Sequence, residues 1–325
     1  MVWQKNINLV SFTTFQIGGP ADYFYVAKNS KEVIEAVKEA KSNNWPIFVL
    51  AGGSNILISD EGFRGAVIKM QNQSTQTNLS ARPSTKEKLL CSGSAFQIIC
   101  DAGVLLSKLV AESLEMGTTG LEWAIGIPGT VGGAIVGNSG AYGRSISESV
   151  KEVEILDLTT LTKKVYASSD CQFQYRESIF KRNNEIVLSV VLELQKNDGQ
   201  DSSELIKKYL KQRKSKIPPY PSAGSVFKNI EVKNISAEIL KKIPSEIIRA
   251  GKLPVGYLIE QCGLKGHKIN GAEISEQHAN FIINAGGAKA KDVYQLMQLC
   301  QKSIKEKFGI ELESEIRLIG FVARK

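Results

Sequence analysis

The sequence has no long hydrophobic run. Its longest apolar candidate, WAIGIPGTVGGAIVG at 123–137, is interrupted by several glycines and a proline. A membrane-spanning helix needs about 20 predominantly apolar residues, so no membrane association is expected. The N-terminal stretch MVWQKNINLV lacks a basic region followed by an apolar core. No secretory signal is therefore expected, and a cytoplasmic location is predicted.

Cysteine and histidine are both scarce. The cysteines are odd in number, long intervals separate them, and none forms a C-x-x-C pair: Cys91, Cys100, Cys171, Cys262 and Cys300. This pattern predicts neither a disulfide framework nor a zinc site, and most of these thiols are expected to be buried. The only histidines are His267 and His278. Most histidine-based metal sites and most Ser-His-Asp arrangements are thus excluded, and no metal is expected.

Positive charge is in excess, with a formal net charge of +8. The densest basic run is KKYLKQRKSK at 207–216. Such a run is usually a solvated helix face, but a basic surface also attracts phosphate groups and nucleic acids. No nucleic-acid-binding motif accompanies it, so nucleic acid is not the expected partner.

The hydrophobic pattern alternates between helical and strand-like segments, which indicates an α/β or α+β protein. Asn29 can cap a first helix, with Glu32 as its reciprocal partner. Residues 71–88 are polar, and a domain boundary is expected near 70–90. Helices are predicted over 30–43, 95–115, 203–216, 235–250 and 290–307, and strands over 46–50, 65–70, 150–158, 163–169, 185–194 and 312–323.

Two glycine-rich loops are candidates for phosphate binding. AGGSN at 51–55 follows an apolar strand, and GIPGTVGGAIVGNSGAYG at 126–143 holds seven glycines in 18 positions. Glycine lets the backbone approach a ligand closely, although it also serves simple turns. Neither loop has the G-x-G-x-x-G spacing or the G-x-x-x-x-G-K-[ST] spacing. Any dinucleotide would therefore be bound by a different fold.

Several motifs together are far more specific than either loop alone. In chain order they are TTFQIGGPAD, AGGSNILISDEGFRG, GLEWAIGIPGTVGGAIVGNSGAYG, FQYRESIF, PSAGSVFKN, EQCGLKG, GAEISEQHANFIIN and LESEIRLIG. This set resembles the UDP-N-acetylenolpyruvoylglucosamine reductase family, flavoenzymes of bacterial peptidoglycan synthesis. The resemblance extends from about Phe12 to Gly320 and so covers nearly the whole chain.

The resemblance implies an α+β fold. A two-part FAD-binding domain of the vanillyl-alcohol-oxidase type would occupy 1–70 and 71–213, joined by the strand at 313–325, with a substrate-binding domain over 214–312. FAD is expected to be bound non-covalently, because no histidine precedes His267. The implied cofactor contacts are Gly52, Gly53, Ser54, Asn55, Gly126, Ile127, Pro128, Gly129, Thr130, Gly132 and Gly133.

The implied reaction uses NADPH as co-substrate and reduces a vinyl ether that is conjugated to a carboxylate. Arg176 and Glu315 would stabilise the charge that develops on the carboxylate. Arg317 is expected on the same strand face as Glu315. The implied substrate contacts are Tyr175, Arg213, Lys228, Asn229, Lys265, His278 and Arg317. A monomer acting on a UDP-sugar is expected.

Ser225 has three interpretations from the residues alone: a nucleophile, a turn residue or a proton donor. The context A-G-S-V-F lacks the second glycine of a nucleophile elbow, which favours a turn. The resemblance instead implies that the serine hydroxyl protonates the carbon next to the carboxylate, with Lys228 or water polarising it. Two other hypotheses stay open, namely a flavin oxidoreductase with another substrate and a basic nucleic-acid-binding protein.

The sequence departs from the usual family pattern in a few places. Ala51, Ser139 and Ile230 stand where the family usually has Gly, Ala and Pro. A lysine-rich segment at 231–251 is longer than the common family connection, and no role is predicted for it.

Overall fold

The computed structural model describes residues 1–71, 95–196 and 200–321. The strands are β1 (Gln4–Asn8), β2 (Pro20–Ala27), β3 (Ile47–Leu50), β4 (Ile56–Ile58), β5 (Phe63–Met70), β6 (Ala95–Asp101), β7 (Thr118–Thr119), β8 (Gly140–Ala141), β9 (Arg144–Ser145), β10 (Val150–Asp157), β11 (Lys163–Ala167), β12 (Glu185–Lys196), β13 (Ile230–Glu231), β14 (Lys252–Leu253), β15 (Lys268–Ile269), β16 (Ala272–Ile274), β17 (Ile282–Asn284) and β18 (Arg317–Ile319). The helices are α1 (Ser30–Ser42), α2 (Leu106–Glu115), α3 (Val131–Gly137), α4 (Gln200–Lys216), α5 (Ala237–Leu240), α6 (Val255–Gln261) and α7 (Ala290–Phe308).

The chain forms two compact units, each built from several segments. The first contains Met1–Gln4, Tyr23–Gly52 and Gly65–Ser215, and the second contains Lys5–Asp22, Gly53–Arg64 and Lys216–Lys325. The predicted boundary near 70–90 falls mostly outside the described residues. The three-part division into 1–70, 71–213 and 214–312 stays a prediction.

The first unit has its main core around an antiparallel sheet. The strand order is β11-β10-β12-β6, and β7 also pairs with β12. In this sheet Val190 of β12 lies between Val153 of β10 and Cys100 of β6, and all three side chains are buried. The predicted strands at 150–158, 163–169 and 185–194 are thus confirmed. The buried side chains of β10 and β12 form part of this core.

A second sheet leads directly to the first glycine motif. Its strand order is β1-β2-β5-β3. The parallel pair of β3 and β5 sets Leu50 opposite Lys69, so AGGSN begins where this pairing ends. Helix α1 packs beside β3 and confirms the helix predicted at 30–43. As predicted, the Asn29 side chain accepts a hydrogen bond from the Glu32 amide, at 2.9 Å.

The predicted helix over 95–115 is half wrong. Residues 95–101 form β6, and the helix is only α2 (Leu106–Glu115). Ile98 and Cys100 are buried whereas Ile99 is 37% exposed, which is the two-residue period of a strand. The spacing of Phe96, Ile99 and Cys100 resembles a helical face, but pairing of β6 with β12 overrides it.

The second unit has its own core, formed by α6, α7 and a small sheet. The sheet has the order β15-β16-β17 and contacts α7, the helix predicted at 290–307. Asp60 fixes the start of α7, because its carboxylate accepts hydrogen bonds from the amides of Ala290 and Lys291. A parallel pair of β18 and β4 lies in the same unit.

Two further predicted elements are longer than the observed ones. The helix expected over 235–250 is reduced to the single turn α5, because Pro244 cannot continue a helix. The strand expected over 312–323 is limited to Arg317–Ile319, where it pairs with β4. Helix α4 (Gln200–Lys216) includes the predicted basic helix at 203–216.

Three thiols are buried as predicted, namely Cys100, Cys171 and Cys300, while Cys262 is half-buried. Cys91 lies outside the described residues. Within the described part of the chain, no group of three His, Cys, Asp or Glu side chains could hold a metal ion. None of the described helices combines the length and the hydrophobicity that crossing a membrane requires.

Candidate active site

The predicted site residues are divided between the two units. The first unit contains Gly52, the loop from Gly126 to Gly133, Tyr175, Arg176 and Arg213. The second unit contains Gly53, Ser54, Asn55, Ser225, Lys228, Asn229, Lys265, His278, Glu315 and Arg317. Each group is described within its own unit.

In the first unit the two glycine loops touch each other. A Cβ atom on Gly52 would lie 2.5 Å from the Cα atom of Gly129 and 3.3 Å from the amide nitrogen of Thr130. Real Cβ atoms do not approach backbone atoms so closely, so only glycine fits at position 52. The two motifs that sequence reasoning selected separately therefore form one backbone surface.

The amides of this surface fall into two groups. Those of Val131 and Gly132 donate to the carbonyls of Val104 and Ala102, and that of Gly133 donates to the Thr130 hydroxyl. No hydrogen bond joins the amides of Gly52, Gly129 and Thr130 to an acceptor in the described parts of the chain. These three amides, rather than those of the first turn of α3, are thus the donors left for a ligand.

Arg213 of α4 lies against the same loop. A Cβ atom on Gly126 would be 3.2 Å from Arg213 Nε. That Nε atom is buried and makes no hydrogen bond to a described residue, and burial lowers the pKa of the guanidinium. The Arg213 side chain also forms a hydrogen bond with Tyr142. The Tyr142 ring stacks on Tyr209, with ring centroids 4.1 Å apart. An unsatisfied guanidinium donor beside a glycine loop fits a phosphate oxygen.

The turn that carries Arg176 is fixed to the far end of α3. Asn138 ends this helix in a left-handed conformation, and its Nδ2 donates to the Gln174 carbonyl at 2.8 Å. The Lys181 ammonium donates to the Arg176 carbonyl at 2.6 Å. Arg176 itself has φ of 56°, and its guanidinium carbon lies 5.4 Å from the centroid of the Tyr175 ring. Tyr175 and Arg176 are therefore presented together by one constrained turn.

In the second unit Ser225 and Glu315 lie on neighbouring backbone segments. The Val226 carbonyl accepts a hydrogen bond from the Glu315 amide at 2.7 Å, and Ser225 forms a bridge with Phe281. Both side chains are half-buried. The structure thus brings together two of the three residues predicted to be catalytic, although they are 90 positions apart in the sequence.

Asn55 connects the first glycine motif to this pair. Its Nδ2 donates to the Glu315 carbonyl at 3.1 Å, and its own carbonyl accepts from the Arg317 amide at 3.0 Å. The Asn55 side chain therefore positions the segment that carries Glu315. Glu315 precedes β18, which begins at Arg317, so the prediction that both residues share one strand face is wrong.

Three predicted substrate residues already have partners within the second unit. Lys228 Nζ lies 2.5 Å from Glu313 Oε1, and Lys265 Nζ lies 3.5 Å from a carboxylate oxygen of Glu260. The Asn229 side chain accepts from the Val255 amide at the start of α6. The prediction that Lys228 polarises Ser225 stays a prediction.

His278 is half-buried and packs edge-on against Phe281, with ring centroids 4.8 Å apart. Its Nδ1 accepts a hydrogen bond from the Asn280 amide at 3.3 Å. Nδ1 is therefore unprotonated, and in the neutral ring Nε2 carries the proton. Burial lowers the pKa of this histidine, and the charges of Lys216 and Lys265 lower it further.

Sequence reasoning missed the residues that hold the site together. Asn280 is 3% exposed, and its side chain accepts from the Phe227 amide and donates to the Phe227 carbonyl. An asparagine inside the apolar run ANFII was the available signal. Asn138 and Lys69 were missed as well, because their roles depend on contacts made by distant segments.

Comparison with known proteins agrees with this geometry and defines the class of protein first. A family model described as a FAD binding domain matches residues 21–162. A second model, the C-terminal domain of UDP-N-acetylenolpyruvoylglucosamine reductase, matches residues 215–319. The chain is thus an FAD-dependent oxidoreductase of the predicted α+β class.

Curated relatives specify the family. The chain is 40% identical over 322 residues to the UDP-N-acetylenolpyruvoylglucosamine reductase of Caldicellulosiruptor bescii, with 97% of this chain and 90% of that protein covered. It is 34% identical over 311 residues to the reductase of Solibacter usitatus, with 95% and 94% covered. The crystal structure of the Thermus caldophilus enzyme matches with a TM-score of 0.74 at 29% identity, over 98% of this chain and 99% of that one. The chain belongs to the UDP-N-acetylenolpyruvoylglucosamine reductase family.

Proposed function

We propose that this chain reduces the enolpyruvyl group of UDP-N-acetylenolpyruvoylglucosamine to give UDP-N-acetylmuramate, with NADPH as the source of electrons. The observation that carries the proposal is the placement of Ser225 and Glu315 on hydrogen-bonded segments of the second unit. In addition to a flavin, this reduction requires a proton donor and a group that stabilises the charge on the substrate carboxylate, which are the roles proposed for these two side chains.

The residues of the first unit fit the diphosphate of FAD. The unpaired amides of Gly52, Gly129 and Thr130 and the unsatisfied Nε of Arg213 are donors of the kind that phosphate oxygens need. When bound, FAD supplies the two-electron chemistry by taking a hydride from the nicotinamide and giving it to the terminal vinyl carbon. Gly53, Ser54, Asn55 and the remaining residues of 126–133 are proposed to line the same cofactor.

The chain itself must manage charge and a proton. As hydride reaches the terminal vinyl carbon, negative charge develops on the substrate carboxylate. Arg176 and Glu315 are proposed to stabilise that charge, Arg176 by its guanidinium and Glu315 by hydrogen bonding. The Ser225 hydroxyl is proposed to donate its proton to the carbon next to the carboxylate, and solvent restores it. The sum is one hydride and one proton added across the double bond.

The UDP part of the substrate is proposed to be held by cationic and polar side chains. Tyr175, Lys228, Asn229, Lys265, His278 and Arg317 are the candidates, with Arg213 and neighbouring lysines of α4 near phosphate groups. Location in the cytoplasm and action as a monomer are part of the same proposal.

The test separates the two half-reactions of a Ser225→Ala variant. We expect NADPH to reduce the flavin of this variant at a rate close to that of the wild type. Turnover of the enolpyruvyl substrate should fall by roughly 100-fold or more, the contribution typical of a proton donor. Ser222→Ala is the matched control, because Ser222 lies three residues before Ser225 and its backbone carbonyl, which the substitution keeps, makes the contact with Thr14.

Three results would contradict parts of the proposal. A wild-type protein that shows no flavin absorbance after reconstitution with FAD would contradict the whole of it. Reduction of the flavin by NADPH without reoxidation by the enolpyruvyl substrate would favour another flavin oxidoreductase. Normal turnover by Ser225→Ala would return Ser225 to the role of a turn residue.

A further inference from the structure

Lys69 is a half-buried lysine at the end of β5, between the buried residues Ile68 and Met70. Its register partner is Leu50, the last residue of β3. Neither sequence pattern nor family motif singled it out. Nothing in the reaction described above uses it.

The ammonium group of Lys69 points to the first glycine motif. Lys69 Nζ donates a hydrogen bond to the carbonyl of Ala51, the residue directly before Gly52. Gly52 is in backbone contact with Gly129, and the amides of both glycines lack acceptors in the described parts of the chain. The lysine charge therefore lies beside the peptide group that joins Ala51 to Gly52, on its carbonyl side.

This charge has no counter-charge among the residues that the structure describes. No carboxylate forms an ion pair with Lys69, and burial alone lowers the pKa of its ammonium group. An ammonium group has three donors, of which the Ala51 carbonyl accepts one. Burying a cation without an anion costs stability, so a lysine kept here is explained if an anion arrives with a ligand.

We infer that Lys69 is the cation that faces the diphosphate of FAD at the contact between the two glycine loops. The inference rests on the proposed function, since it takes FAD as the ligand. It adds a charged partner to the amides of Gly52, Gly129 and Thr130. It also explains why a half-buried lysine lies beside a loop whose own residues carry no charge.

The test compares Lys69→Met with Lys41→Met. Lys41 is the matched control, because its ammonium also donates to a backbone carbonyl of the first unit, that of Leu158, but it is exposed and lies on α1. Fluorescence titration of each apoprotein with FAD should show a dissociation constant raised about tenfold or more for Lys69→Met, the loss expected for one charged hydrogen bond. Lys41→Met should bind FAD as the wild type does.

Two further measurements separate this role from a structural one. Without FAD, Lys69→Met should be as stable as the wild type or more stable in urea, because an uncompensated charge has been removed. In Lys69→Met saturated with FAD, the phosphorus NMR resonances of the FAD diphosphate should be shifted from those of the wild-type complex. The visible flavin spectrum should be the same in both. Both results are readouts of binding and stability rather than of turnover.

The outcomes that overturn the inference are distinct from failure of the proposed function. Unchanged FAD affinity in Lys69→Met, or a loss of apoprotein stability, would leave Lys69 as a structural contact of Ala51. Unchanged phosphorus resonances with a shifted flavin spectrum would place Lys69 at the flavin ring. If the wild type itself binds no FAD, the proposed function fails before this inference is reached.

Discussion

Asn280 uses both ends of its side-chain amide on Phe227, and its backbone carbonyl accepts from the amide of Val226. One nearly fully buried residue thus fixes the segment that carries Ser225. The other neighbour of that segment is the one that carries Glu315, bonded through the Val226 carbonyl. The hydroxyl proposed as the proton donor therefore depends for its position on residues that have no proposed part in the chemistry.

His278 makes the stability of the protein depend on pH in a predictable direction. Burial lowers its pKa below the ordinary value of 6.5, so the unfolded chain takes up the proton first as the pH falls. The stability that the neutral ring contributes is complete above that value and is lost as the pH falls through the folded pKa. We expect the free energy of unfolding to decrease less steeply in His278→Gln than in the wild type over this range.

Urea denaturation at several pH values from about 5 to about 8 measures this slope. His267→Gln is the matched control, since His267 is exposed and is the only other histidine of the chain. Both variants are compared with the wild type at the same pH values. Equal slopes in the wild type and in His278→Gln would show that His278 titrates alike in both states.

At the scale of elements, the contact between the two glycine loops is set by backbone rather than by side chains. Gly52→Ala would place a Cβ atom 2.5 Å from Gly129 Cα, so the loops must separate. We expect the apoprotein to lose roughly 1–3 kcal/mol of stability, as for other overpacking substitutions. FAD affinity should fall with it, because the donors of Gly52, Gly129 and Thr130 would no longer share one surface.

Gly137→Ala tests whether this effect is specific. Gly137 ends α3, and a Cβ atom there would meet only the Ser139 hydroxyl at 3.9 Å, an ordinary contact. This variant should be as stable as the wild type or slightly more stable, because alanine favours helix. Calorimetry of both variants with and without FAD makes the comparison. Equal behaviour of the two would mean that the loop contact is not needed for binding.

The elements themselves were predictable where a local signal exists. Helix α1 has its Asn29 cap and a clear apolar face, and the paired strands β10 and β12 are rich in Val, Ile and Leu. Residues 95–101 were mistaken for helix because Phe96, Ile99 and Cys100 also fit a helical face, and only pairing with β12 decides between the two periods. The segment at 235–250 was read as one helix although Pro244 interrupts it.

The candidate site was predictable only where a sequence motif indicates a particular residue. Motifs selected Ser225 and Glu315, and the structure places them on neighbouring segments, but their spacing gives no sign of Asn280, which bonds to the other side of the Ser225 segment. Likewise nothing around Lys69 in the sequence shows that it reaches Ala51. Contacts of this kind arise from strand pairing across long separations, which a local pattern does not encode.

At the scale of the whole molecule, the two units have separate cores and hold different parts of the candidate site. The first contains the glycine surface with Arg176 and Arg213, and the second contains Ser225 and Glu315. A substitution in the core of one unit should therefore directly affect only the positions of the candidate site residues in that unit. Net charge, in contrast, is a property of the entire chain and acts on every anionic ligand.

The net charge of +8 should speed the capture of NADPH and the UDP-sugar, and α4 concentrates that charge. Lys207, Lys208 and Lys211 are exposed on this helix. Replacing all three with Glu changes the net charge by −6, from +8 to +2. We expect kcat/KM for both substrates to fall by roughly tenfold at low salt, with kcat little changed, because steering affects encounter rather than chemistry.

Salt and position distinguish steering from damage to the site. Above about 0.1 M ionic strength the screening length falls below about 10 Å, so the difference between variant and wild type should shrink steadily. A control variant with Lys31, Lys38 and Lys41 of α1 replaced by Glu has the same net charge on another exposed helix face. A smaller loss in the control would locate the effect at α4, and equal losses would assign it to net charge alone. A loss that persists unchanged at high salt would instead mean that a lysine of α4 contacts a bound substrate directly.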